Sequence, residues 1–227
     1  SSIAREYLLN EGLPSDQIIK VGSPMFEVIH HFRSKIDQSQ VLEQLGLSEH
    51  EYFLISSHRE ENISSANFDK LIELLNYLAE KYNLPVIVST HPRTRLEIEK
   101  RNVQIHKQVQ LLKPLGFMDY NQLQLKSKLV FSDSGTISEE SSILNFPALN
   151  IRESHERPEA MEEGAVIMSG FNLDRIIQSI DIVINQGRGK TRDLHIVRDY
   201  TAPNVAEKVL RIILSYTDYI KRKLYNE

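Results

Sequence analysis

The strongest constraint on how this chain folds is an alternation that repeats along its length. A short, nearly continuous apolar run is followed by a polar loop and then by an amphipathic stretch. The runs fall at 18–21, 52–56, 85–89, 110–112, 129–131, 148–150 and 165–167. Such runs suit parallel strands covered on both faces. Between them lie helical patterns, clearest over 67–82, where Phe68, Leu71, Leu74, Leu75 and Leu78 recur at spacings of three and four. Further helices are predicted over 120–126, 136–144, 173–184 and 205–225. Strand followed by helix, repeated, predicts an α/β fold with a doubly wound, Rossmann-like parallel sheet. Residues 1–200 are expected to form that domain. Residues 201–227 are expected to form a C-terminal helix, rich in Lys, Arg and Tyr, that packs on another domain. The segment 185–192 reads as a loop, because Gly187 and Gly189 interrupt it between Arg188, Lys190 and Arg192.

A chain of 227 residues that is 41% hydrophobic can bury one sizeable core. Its net charge of -4 argues against a nucleic-acid partner, which calls for a basic excess. With no cysteine, a disulfide framework and any Cys-based metal or redox site are excluded. No apolar run reaches the roughly 18 residues of a membrane helix, so no membrane partner is expected. The opening residues carry no basic region ahead of an apolar one, so they do not read as a signal peptide, and the cytoplasm is the expected compartment. The chain opens without Met in a helical pattern (Ile3, Tyr7, Leu8, Leu9), which suggests a piece of something longer.

In an open α/β sheet, ligands sit beyond the carboxyl ends of the strands, so the loops after each strand carry the functional information. After 52–56 comes Ser57-His58-Arg59-Glu60-Glu61-Asn62, either a donor set for a phosphate or a solvated loop with internal ion pairs. After 85–89 comes Thr90-His91-Pro92-Arg93, where Pro92 suits the first turn of a helix and His91 faces the same sheet edge. The loop after 110–112 exposes main-chain groups near Leu115, Gly116 and Phe117, where a flat base could dock, or where Phe117 and Met118 simply cover the core. After 129–131, Ser132-Asp133-Ser134-Gly135-Thr136 leads into a helix. Free amides and the positive end of a helix dipole converge there, and the hydroxyls of Ser134 and Thr136 add donors for an anion. Glu140, about one turn further on, is placed to accept from a ribose. The alternative is a plain N-cap, with Glu139 or Glu140 completing a capping box. Arg152 and Arg157 bring positive charge after 148–150, beside Glu156 and Glu159.

Other motifs carry less. Ser132-Asp133-Ser134-Gly135 matches the nucleophile segment of chymotrypsin-like proteases, but here it lies between a strand and a helix in a chain without cysteine. The chain has no Gly-x-Ser-x-Gly, Walker A or Gly-x-Gly-x-x-Gly motif, and its histidines lack metal-ligand spacing.

Three segments together resemble, in order, the motifs of the non-hydrolysing UDP-N-acetylglucosamine 2-epimerases: 57–62, Asp133-Ser134-Gly135-Thr136-Ile137-Ser138-Glu139-Glu140, and Glu156-Arg157-Pro158-Glu159. The resemblance covers nearly the whole chain, as the C-terminal domain of such an enzyme. It implies the glycosyltransferase-B arrangement of two Rossmann-like domains with UDP held mostly by this one. It implies that Ser134, Gly135 and Thr136 hold the diphosphate, that Glu140 binds the ribose, and that the loop of Leu115 and Phe117 holds uracil. It further implies that His58 contacts the diphosphate and serves catalysis, that Arg152 lines the cleft, and that His91 aligns with a regulatory UDP-sugar contact. No cofactor is implied. The carboxylates that move the C2 proton would lie on a missing N-terminal domain, and the full-length enzyme is expected to be a homodimer that serves bacterial surface polysaccharide synthesis. Thr136, where the family usually has a second Gly, and the segment 90–95 look more like relatives acting on 6-deoxy UDP-N-acetylhexosamines. The competing reading is the donor-binding domain of a glycosyltransferase of the same architecture.

Overall fold

The computed structural model describes residues 1–57, 66–90, 92–154 and 156–225, with the side chains of all but 66, 92 and 93. His58 and His91 lie outside the described residues. Six strands form one parallel sheet: β1 (Phe53–Ser57), β2 (Val86–Thr90), β3 (Val109–Leu112), β4 (Leu129–Ser132), β5 (Ala148–Asn150) and β6 (Ile167–Met168). Their order is β3-β2-β1-β4-β5-β6. Phe53 is in register with Val86 on one side and Leu129 on the other. The chain winds outward from β1 to β3, then crosses back to place β4 on the other side of β1. The β1–β4 boundary is therefore the topological switch point, where a crevice opens at the strands' carboxyl ends.

The described helices are α1 (Ser2–Asn10), α2 (Met25–Asp37), α3 (Val41–Leu45), α4 (Ala66–Tyr82), α5 (Pro92–Lys100), α6 (Phe117–Lys126), α7 (Ile137–Leu144), α8 (Pro158–Glu162), α9 (Leu173–Val183) and α10 (Val205–Ile220). Side chains alternate across the sheet, which divides the core in two. Phe53, Ile55, Val86, Val88, Leu129 and Phe131 pack with the apolar stripes of α4 and α9. Tyr52, Leu54, Ile87 and Val130 pack on the other face with Ile29 of α2, Leu123 of α6 and Ile137 of α7. Burial on both faces is the reason these strands read as unbroken apolar runs.

Six of the seven expected strands form, within a residue or two of the predicted bounds. The run at 18–21 does not: it is extended but unpaired. Ile19 and Val21 instead face Val209, Ile213 and Tyr216 of α10 across a groove. The helix expected to begin at 136 starts at Ile137, because Thr136 is its cap residue. The stretch expected as one helix over 205–225 changes after Ile220 into a π-helical turn, Lys221–Tyr225. Residues 185–192 form a loop, as expected. No described helix is long and apolar enough to cross a membrane.

Gly22 ends the 18–21 run with φ at +92°, and an added Cβ would lie 2.7 Å from the Ala202 Cβ. Neither problem is relieved by rotating a side chain. Gly22→Ala should destabilise the chain by about 2 kcal/mol, from backbone strain plus the close contact. An urea titration followed by circular dichroism measures this, and an unchanged midpoint would refute it.

Candidate functional site

A cavity of about 210 Å³ occupies the switch point. Its floor is Ser56, near the end of β1, and Ser89, near the end of β2. These small strand-end residues leave room above the sheet. One wall is the loop and first turn of α6, with Pro114, Leu115, Phe117 and Tyr120. The other is the turn into α7, with Ser134, Thr136 and Glu140. Sequence reasoning singled out five of these: Leu115, Phe117, Ser134, Thr136 and Glu140. Gly135 and Arg152 sit beside them, since a Cβ on Gly135 would lie 3.9 Å from Arg152 Nη1 and 3.2 Å from Glu156 Oε2. Arg152 Nη2 donates to Glu156 Oε1 at 2.8 Å, so the guanidinium is oriented by its neighbour four residues on.

The turn into α7 is built from hydroxyls. Ser132 Oγ accepts from the Ser134 amide at 3.1 Å. Ser134 Oγ accepts from the Thr136 amide at 3.3 Å and lies 2.9 Å from Thr136 Oγ1. Ser57 Oγ donates to Asp133 Oδ2 at 3.0 Å, tying β1 to β4 at the crevice floor. The capping box of the alternative reading does not form: Thr136 caps α7 without a side-chain hydrogen bond to the helix amides. Both carboxylates that would have completed it have other side-chain partners, and the Thr136 hydroxyl itself bonds to Glu140. Glu139 accepts from Ser23 Oγ at 2.7 Å and Arg157 Nε at 2.9 Å. Glu140 accepts from Gln124 Nε2 at 2.6 Å. The first turn of α7 thus keeps the partial positive character of a helix start.

Burial pushes the Glu140 carboxyl above its ordinary value, against the opposing donors Gln124 and Thr136, and the neighbouring Glu139 charge adds to the rise. Burial likewise raises Tyr120, whose hydroxyl bonds to Ser56 and Gln124. Sequence reasoning missed Tyr120, Gln124 and Ser56. The available signal was helical spacing: Tyr120 and Gln124 follow Phe117 at intervals of three and four, so a polar row continues the pocket-facing stripe of α6. It also missed Phe32 of α2, whose ring lies 6.0 Å from that of Phe117 and backs the wall.

A larger cavity, about 500 Å³, lies near α1, Gly22, Ser23, Arg157 and Tyr200. Its polar groups are extensively paired: besides the Glu139 contacts, Tyr200 donates to Glu159 Oε1 at 3.0 Å. The smaller crevice, at the switch point and below a helix start, is the better candidate site. Among the described residues, no group of three or more His, Asp or Glu side chains is placed to hold a metal.

Fold and crevice together define a doubly wound α/β domain with a polar crevice at its switch point. Residues 1–214 match the profile of the UDP-N-acetylglucosamine 2-epimerases, and the chain belongs to that family. It is similar to the structure of a UDP-N-acetylglucosamine 2-epimerase from Rickettsia bellii, with 43% identity and a TM-score of 0.93 over 100% of this chain and 61% of that one. It also resembles the Methanocaldococcus jannaschii UDP-GlcNAc 2-epimerase in complex with UDP-GlcNAc and UDP, with 26% identity and a TM-score of 0.83 over 95% of this chain and 59% of that one. In sequence it is 28% identical over 196 residues to a UDP-N-acetylglucosamine 2-epimerase of M. jannaschii, covering 83% of this chain and 54% of the relative. The chain therefore spans little more than half the length of these relatives.

The raised Glu140 carboxyl has a consequence for stability. The folded chain binds this proton more tightly than the unfolded chain, so stability falls as pH rises from the ordinary carboxyl value to the folded one. This group therefore contributes less stability at pH 7 than below the ordinary carboxyl value. Glu140→Gln should raise the urea midpoint at pH 7 and change it little near pH 4. A lower midpoint at pH 7 would contradict this account of the site.

Proposed function

We propose that the chain is the UDP-binding portion of a UDP-N-acetylhexosamine 2-epimerase. The observation that carries this is the convergence of Ser134, Thr136, Glu140, Leu115 and Phe117 on one crevice at the start of α7. Its three parts suit the three parts of a nucleoside diphosphate. The helix start at Ser134, Gly135 and Thr136 offers amides and hydroxyls to the diphosphate. Glu140 accepts from the ribose hydroxyls, and Leu115 and Phe117 cover the base. Arg152 adds positive charge to the same cleft. His58 is assigned to the diphosphate and to catalysis, and His91 to a regulatory UDP-sugar contact. The M. jannaschii relative bound to UDP-GlcNAc and UDP supports this ligand class.

In the proposed reaction a base removes the C2 proton. Its electron pair forms a C1–C2 double bond as the C1–O bond breaks, and UDP leaves with the bonding electrons. UDP then re-adds at C1 while a proton returns to C2 from the opposite face. Donors fixed at the departing diphosphate stabilise the charge that develops there. The proton-transferring carboxylates are assigned to a separate N-terminal domain. With that domain the chain would form a glycosyltransferase-B arrangement, and the full-length enzyme a cytoplasmic homodimer in surface polysaccharide synthesis. The outer face of α10 supports a partner domain there: Leu210 and Leu214 are 56% and 74% exposed. Sugar identity within the N-acetylhexosamine class, 6-deoxy forms included, is left to assay.

Calorimetric titration of the 227-residue chain with UDP and uridine tests the site. UDP should bind more tightly than uridine. Ser134→Ala should weaken UDP by about tenfold and uridine much less, since the loss is a hydrogen bond to a charged group. Negligible heats for both ligands would remove the diphosphate site. In the full-length protein, turnover in deuterated water should place deuterium at C2 of the sugar; retention of protium there would exclude epimerisation.

A further inference from the structure

The loop after α9 grips the far ends of both helices that wall the crevice. Arg192 Nη1 and Nη2 donate to the carbonyls of Ser142 and Ile143, each at 2.8 Å. These carbonyls belong to the last turn of α7. Asn145 ends that helix in the left-handed region, with φ at +56°. Its Nδ2 donates to the Gly189 and Thr191 carbonyls at 3.0 and 2.7 Å, and the Gly189 amide returns to the Asn145 carbonyl at 2.9 Å. Arg188 does the same for α6: Nη1 donates to the Ser127 carbonyl at 2.8 Å and Nη2 to the Lys128 carbonyl, in the segment joining α6 to β4. The loop is closed on itself, since the Gly187 amide donates to Asp193 Oδ2 at 2.6 Å and a Cβ on Gly187 would meet the Thr191 carbonyl at 2.7 Å.

Among the described residues neither arginine has a carboxylate partner, and burial lowers the pKa of each. Arg188, half-buried, and Arg192, more exposed, are thus held mainly by main-chain carbonyls. A guanidinium fork fixes two acceptors at once, which sets orientation as well as distance. The eight residues of α7 form a rod of about 12 Å, so a shift at its C-terminus is carried to the turn at 134–136. Across the crevice the two helices meet in the 2.6 Å bond from Gln124 to Glu140, which depends on their separation.

We infer that Arg188 and Arg192 are positioning residues for the nucleotide crevice, holding α6 and α7 in register from the side opposite the ligand. The inference rests on the reading that this crevice binds UDP. UDP affinity is read by calorimetry on the 227-residue chain, at a temperature well below every variant's unfolding midpoint. Arg192→Met and Arg188→Met should each weaken UDP by about tenfold, the order expected for losing a charge-assisted pair. Arg192→Lys should recover part of that loss, because one ammonium serves one carbonyl well but not two; it also serves as the test if the methionine variants do not fold. Leu78→Val, a core change on α4, should lower the unfolding midpoint without changing UDP affinity. Wild type that fails to bind UDP overturns the UDP reading and this inference together. Wild type that binds, with Arg192→Met, Arg188→Met and Arg192→Lys all binding equally well, overturns this inference alone. Equal weakening by Leu78→Val and Arg192→Met also overturns it, because loss of stability would then account for the effect.

Discussion

Two adjacent buried carboxylates, Glu139 and Glu140 at the start of α7, impose the arrangement on which the rest of the site depends. A buried carboxylate without partners is strongly unfavourable. Glu139 is met by Ser23 and Arg157, which draws the segment after 18–21 and the segment before α8 against the helix. Glu140 is met by Gln124, which draws α6 from the other side. Both carboxylates bond to side chains, Glu140 to the Thr136 hydroxyl as well as to Gln124, and the amides of the first turn stay open toward the switch point. Partner satisfaction and ligand access are the same geometric fact.

The sheet supplies the other half. Strand order β3-β2-β1-β4-β5-β6 puts the reversal between β1 and β4, and the small residues Ser56 and Ser89 near the strand ends keep the crevice from filling. The site is strained between two demands. The proposed ribose contact would draw on the Glu140 carboxylate, while burial works against its ionisation.

The fold class was legible because strands buried on both faces leave apolar runs, and because α4 and α9 carry their stripe at regular spacing. The run at 18–21 misled for a physical reason: apolar residues that face an amphipathic helix look the same in sequence as those that join a ladder. Ser134, Thr136 and Glu140 were legible because a strand, a Ser-Gly turn and a helix start concentrate amides at one point. Tyr120 and Gln124 were not, because a polar residue on a helix reads as solvent-facing until the opposite wall is known. Arg188 and Arg192 read as loop charges for the same reason, their acceptors being carbonyls some 50 to 60 residues away in sequence.

The central claim is that the start of α7 holds a diphosphate while Glu140 holds the attached ribose. A crystal structure of the chain grown with UDP tests it most directly. The account predicts phosphate oxygens at about 3 Å from the amides and hydroxyls of residues 134–136, with the ribose hydroxyls on the Glu140 carboxylate. UDP found instead in the larger cavity beside Arg157 and Tyr200, with the crevice at α7 empty, would contradict it.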